Sequence, residues 1–126
     1  MIRVFEPLIE DEEIAYVTDA LRKGEISGNF GSYLERFEAE FAQYVGCKHG
    51  VAVSSGTTAL HLAVDAAGIG PGDEVLLSAS TNIATALGVV HNGAIPVPVD
   101  SENATWNLDL DLIESLITPR TKAIIP

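Results

Sequence analysis

Cysteine is nearly absent: Cys47 is the only one, so neither a disulfide framework nor a cysteine-rich metal site can form within the chain, and a reducing cytoplasm fits best. Basic residues are scarce as well. Seven Lys and Arg stand against 18 Asp and Glu, a formal charge of -11 that argues against nucleic acid as a partner, since phosphate backbones need clustered cations. No apolar run approaches the roughly 18 residues of a membrane span, and the opening MIRVFEPLIEDEE lacks the basic start and long apolar stretch of a secretion signal. Nothing in the sequence points to a membrane. Internal repeats, low-complexity tracts and Gly/Ser linkers are missing too. What is left is an ordinary soluble composition, 47% hydrophobic and 20% charged over 126 residues, within the size of one domain.

Hydrophobic periodicity divides the chain into two kinds of segment. Glu10 to Lys23 reads as an amphipathic helix, with Ile14, Val17 and Leu21 on one face, acids in its first turn, Arg22 and Lys23 in its last, and Gly24 ending it. A second helix is expected from Ser32, whose hydroxyl can cap while Glu35 reaches back, through the stripe Leu34, Phe37, Phe41 and Tyr44 to Gly46. After Gly50 the pattern becomes strand, loop, helix: Val51 to Val53, the turn Ser54-Ser55-Gly56-Thr57, then a helix from Thr58 to Ala67. The unit recurs as a strand Glu74 to Leu77, a helix Asn82 to His91 and a strand Ile95 to Val99. A helix over about Leu108 to Ile117 precedes a strand Lys122 to Ile125. Strands alternating with helices predict an α/β fold, three layers around a mostly parallel sheet. Because Ala123-Ile124-Ile125-Pro126 is a buried-type strand with nothing after it, residues 1-126 read as a piece of a longer domain, cut at its C-terminal end.

The strongest chemical feature is Ser54-Ser55-Gly56-Thr57-Thr58, between a β-rich run and a helix. Free N–H groups and the dipole at a helix start attract an anion, Gly56 allows close backbone approach, and the Ser55, Thr57 and Thr58 hydroxyls add donors. Ser and Thr also cap helices with no ligand involved. Spacing leaves both readings open, for the loop has neither a P-loop lysine nor a dinucleotide-fold glycine triplet. His61 fits a packed helix residue, while His49 and His91 fit the surface or the ends of elements. Asp109 and Asp111 suit a helix start better than a catalytic pair. Trp106, in a polar loop, reads as a packing anchor or as a loop contact to substrate. No metal site is expected.

Several segments in fixed order resemble one family. Glu25-Ile26-Ser27-Gly28, the run Leu34 to Ala42, Tyr44 to His49 and Ser54 to Ala63 are similar to the start of the DegT/DnrJ/StrS-type PLP-dependent sugar aminotransferases. So are Gly68 to Val75, Gly93 to Val97 and Ile117 to Pro126. The resemblance implies the N-terminal part of the large domain of a fold-type I pyridoxal 5'-phosphate (PLP) enzyme. It further implies transfer of an amino group from an amino acid such as glutamate to a keto group of a nucleotide-linked deoxysugar, in polysaccharide or antibiotic sugar biosynthesis.

By that resemblance Ser55, Gly56 and Thr57 hold the cofactor phosphate. Asn82 falls where family members usually set an aromatic residue against the pyridine ring, so it is either a ring contact or a helix N-cap. Gly28 and Asn29 fall in an early loop that family members bring towards the sugar, though Gly-Asn also makes a plain turn. The Schiff-base lysine and the aspartate partnering the pyridine nitrogen are expected beyond residue 126, so no catalytic residue is assigned and Lys23, Lys48 and Lys122 do not substitute. The resemblance also implies a homodimer with shared sites and an inactive isolated segment. A PLP-dependent sugar dehydratase, with histidine for that lysine, and a non-enzymatic phosphate-binding α/β module are the alternatives.

Overall fold

A computed structural model describes residues 5-27 and 31-126. They fall into two compact units, Met1–Ala52 and Val53–Pro126. The first holds α1 (Asp11–Lys23) and α2 (Tyr33–Tyr44). Glu10 begins α1, its N–H donating to Glu13 Oε2 at 2.8 Å, and Gly24 ends it with φ 73°, a conformation glycine adopts without penalty. The expected Ser32 cap does not form: Ser32 already has helical backbone angles (φ -94°, ψ -15°), and its N–H donates to Glu25 Oε2 at 2.9 Å. A capping hydroxyl reaches back over the first turn from an extended backbone, which Ser32 lacks. Asp19 of α1 accepts from Tyr33 Oη of α2 at 2.7 Å and from Lys23 Nζ at 2.6 Å. Ala42 is buried, whereas the apolar side chains Ile14, Val17, Leu21, Phe37, Phe41 and Tyr44 are exposed.

The second unit contains α3 (Gly56–Ala66), β1 (Glu74–Ser78), α4 (Ile83–Val90), β2 (Ile95–Val99), α5 (Leu110–Leu116) and β3 (Thr121–Ile125). The strands form an all-parallel sheet in the order β2-β1-β3. Alternation of side chains across central β1 sends Val75 and Leu77 towards Val64 of α3 and Val89 of α4, with Ile69 and Ala94 completing that core. Leu76 points the other way, to Val99, Leu108 and the α5 residues Ile113 and Leu116. Helices on both faces explain why β1 is buried along its whole length and carries the apolar run Val75-Leu76-Leu77 at its centre. Pro96 and Pro98 lie in β2, at the sheet's edge: Ile95 N–H donates to Asp73 O and Val99 O accepts from Ala79 N–H, both at 2.8 Å. The intervening prolines therefore turn their missing N–H away from β1.

Most boundaries fall within a residue of the sequence reading, and the larger departures have physical reasons. Val51 to Val53 is not a strand among the described residues: no strand pairs with it, and the Ala52 N–H donates to Glu38 Oε1 at 2.8 Å. Helix α3 starts at Gly56, two residues before the expected Thr58, because Ser55 is the residue that caps. Helix α5 starts at Leu110, since Leu108 is held in an antiparallel bridge to Ser101 and Asp109 caps.

Candidate functional site

Ser55 has extended backbone angles (φ -165°, ψ 163°), and its Oγ accepts from Thr58 N–H at 3.2 Å. The Thr58 hydroxyl lies 3.0 Å from Ser55 Oγ and 3.3 Å from Ser54 Oγ, so these three hydroxyls brace one another. Capping uses the third amide of α3. The first two, of Gly56 and Thr57, have no carbonyl a turn behind them to receive their protons and sit at the positive end of the helix dipole. Gly56 is exposed, and a Cβ added there meets nothing within 4 Å, so the chain at the first residue of α3 is uncovered on that side. Capping and anion binding are thus compatible: Ser55 shapes the turn and leaves Gly56 and Thr57 free to donate.

Asn82 sits between β1 and α4, where its Oδ1 accepts from Ala84 N–H at 3.0 Å. This is the helix cap its residue type favours. One oxygen is thereby engaged, while the Nδ2 amide and an exposed face lie beyond the carboxyl end of β1. Gly28 and Asn29 lie outside the described residues. Asp109 caps α5 by accepting from Asp111 N–H at 3.0 Å, which gives this pair a structural role. His61 stacks edge-on against His91 at 5.5 Å between ring centres, and its carbonyl accepts from Asn92 Nδ2 at 3.0 Å. Among the described residues no three His, Cys, Asp or Glu side chains could hold a metal ion, and no helix is long and apolar enough to cross a membrane.

Parallel strands put their carboxyl ends along one edge, the edge at which open α/β sheets commonly bind ligands. Two clefts open there. One, of about 380 Å³, is lined by Ser80 after β1 and by Asp100, Ser101, Glu102 and Trp106 after β2. The other, of about 400 Å³, lies between Thr81 and Asn107 and shares Trp106. The loop after β2 is tightly organised: Glu102 carboxylate oxygens accept from Ala104 and Thr105 N–H, each at 2.6 Å, and from the Thr105 hydroxyl. These bonds, the Thr105 hydroxyl foremost, hold the Glu102 carboxyl below its usual pKa. The loop presents Trp106, 71% exposed, with φ 63°, a left-handed conformation that a bulky residue rarely adopts. Sequence reasoning placed Trp106 in a loop but gave no sign of this backbone, nor of the roles of Asp100, Ser101 and Glu102 around it. Glu102 three residues before Thr105 was the available signal.

Comparison with known proteins agrees with this architecture. The chain is 49% identical to the GDP-perosamine synthase of Caulobacter vibrioides over 125 residues, 99% of this chain and 33% of that protein. It superposes on the crystal structure of 3-amino-5-hydroxybenzoic acid synthase with a TM-score of 0.84 and 41% identity, covering 94% of this chain and 31% of the other. It also matches NtdA of Bacillus subtilis, solved with bound cofactor PMP, with a TM-score of 0.81 and 37% identity over 92% of this chain and 27% of that one. The chain thus spans about a third of the length of the relatives it matches. Residues 7-126 match the model of the DegT/DnrJ/EryC1/StrS aminotransferase family, and the chain belongs to that family.

Proposed function

We propose that this chain is the phosphate-gripping part of a PLP-dependent sugar aminotransferase, moving an amino group from an amino acid such as glutamate to a nucleotide-linked keto deoxysugar. The observation that carries the reading is the start of α3, where Ser55 holds the turn by capping Thr58 N–H and the first two amides, of Gly56 and Thr57, have no carbonyl a turn behind them. A phosphate suits this donor set, because it accepts from several N–H groups at once and gains from the helix dipole. The Thr57 hydroxyl adds a further donor. PLP, when bound, supplies the electron sink that lets an amino group leave one carbon and join another. Asn82 lies beyond the end of β1 and offers its Nδ2 face to the cofactor ring, and Gly28 and Asn29 serve the sugar.

The chemistry of proton transfer falls to residues outside this chain, and the segment alone is inactive. The working enzyme is a cytoplasmic homodimer that binds neither nucleic acid nor membrane. Relatives named for amino-sugar transamination support the substrate class. The test is to load the full-length protein with PLP, add glutamate and a nucleotide-linked keto deoxysugar, and identify the product by mass spectrometry. An amino sugar is expected. A dehydrated sugar without nitrogen would assign the dehydratase reaction instead, and failure to bind PLP would favour a non-enzymatic phosphate-binding module.

A further inference from the structure

Trp106 combines features that a packing role does not explain. Its indole is exposed and forms a wall common to both clefts at the carboxyl edge of the sheet. Its backbone is held left-handed, a strain that persists only where surrounding bonds impose it. Those bonds are visible: Trp106 N–H donates to Glu102 O at 3.1 Å, Glu102 N–H to Asn107 O at 2.9 Å, and the Glu102 carboxylate gathers the Ala104 and Thr105 amides. The loop thus fixes an apolar plate in solvent before any ligand arrives.

The residues facing the plate define what it can hold. Asp100 uses Oδ1 to accept from Ser101 N–H at 2.8 Å, leaving its second oxygen for a hydroxyl donor. Ser80 and Asn103 add groups that both donate and accept. No Lys or Arg lines this cleft, so a phosphate finds no counter-charge in it. A ligand with C–H groups on one face and several hydroxyls at its rim satisfies the indole, the Asp100 carboxylate and the polar groups of Ser80 and Asn103 together.

We infer that this cleft is a carbohydrate subsite in which Trp106 stacks on the apolar face of a hexose ring while Asp100, Ser80 and Asn103 bond its hydroxyls. The inference rests on the aminotransferase reading and adds to it the residue that selects the sugar. Trp106 is assigned to recognition of the sugar and carries no part in proton transfer.

The test uses the full-length, PLP-loaded protein with a nucleotide-linked keto deoxysugar, the free nucleoside diphosphate as an inhibitor, and glutamate in the first half-reaction. Trp106→Gly removes the plate and suits the left-handed backbone, so it folds. It should raise KM for the sugar substrate about tenfold, whereas Trp106→Phe should stay within about threefold. Inhibition by the free nucleotide and the glutamate half-reaction should not change. An unaltered KM in Trp106→Gly would overturn the inference, and so would an equal weakening of the free nucleotide, which would assign the stack to the base. A wild-type protein that aminates no keto sugar would sink the aminotransferase reading itself, before any variant is compared.

Discussion

Gly88 of α4 lies directly against Leu60 of α3: a Cβ built on Gly88 would stand 2.8 Å from Leu60 Cβ and 3.2 Å from the Leu60 carbonyl carbon. The close approach of these two helices depends on that missing side chain. Alanine at 88 would gain about 1 kcal/mol of helix propensity, but overpacking against atoms that cannot swing aside costs roughly 1–3 kcal/mol. Gly88→Ala should therefore lower stability in a urea melt. A rise in the midpoint would mean that α3 and α4 part more easily than this contact implies.

Glu74 and Arg120 tie the start of β1 to the turn before β3. The Glu74 side chain is 6% exposed and its carboxylate accepts from the Arg120 guanidinium and, at 2.5 Å, from the Thr118 hydroxyl. Arg120→Ala leaves a buried carboxylate with one partner, a loss of about 2 kcal/mol after allowance for the exposed guanidinium. Thr118→Val should cost about 1 kcal/mol. Denaturation of both single variants and the double variant measures their coupling, and additive losses would show that the two donors act independently.

Trp106 carries backbone strain that a smaller residue would not. Trp106→Asn places a residue tolerant of left-handed angles at φ 63° and should stabilise the protein by about 1 kcal/mol, even though it removes an aromatic side chain. A destabilised Trp106→Asn protein would show that the indole is packed after all.

The Glu102 loop should be sensitive to acid. Its carboxyl is held below the ordinary value of 4.5 by the Thr105 hydroxyl and the Ala104 and Thr105 amides. The unfolded form thus takes up a proton first as pH falls, and the stabilisation is complete above about pH 4.5 and lost as pH drops through the lower folded value. Amide NMR of Ala104 and Thr105 should titrate with a midpoint under 4.5, and Glu102→Gln should abolish the transition. A midpoint at or above the ordinary value would deny these bonds their effect.

Much of the second unit is legible in the sequence because each element carries its own period. Val75, Leu76 and Leu77 form a run too apolar for a half-exposed strand, and Asn82, Ser55 and Asp109 are residues that favour caps. Val51 to Val53 has the composition of a strand, but a strand is completed by a neighbour, and none pairs with it among the described residues. Trp106 is illegible for a different reason. Its left-handed backbone is set by Glu102, four residues back, against the preference of its own side chain. At the loop from Ser54 to Thr58 the residues are readable and the helix start is not, since three neighbouring hydroxyls could each cap and only the folded backbone selects Ser55.

The central claim is that the open amides of α3 hold the cofactor phosphate. Gly56 is the first residue of that helix, a position where proline is well tolerated, and the extended Ser55 before it is compatible with proline. Gly56→Pro therefore deletes one N–H donor while leaving the helix in place. Titration of the full-length protein with PLP, followed by absorbance and set beside a thermal melt, should show affinity falling about tenfold or more with the melting temperature of the cofactor-free protein unchanged. Unaltered PLP affinity in a folded Gly56→Pro protein would contradict the account.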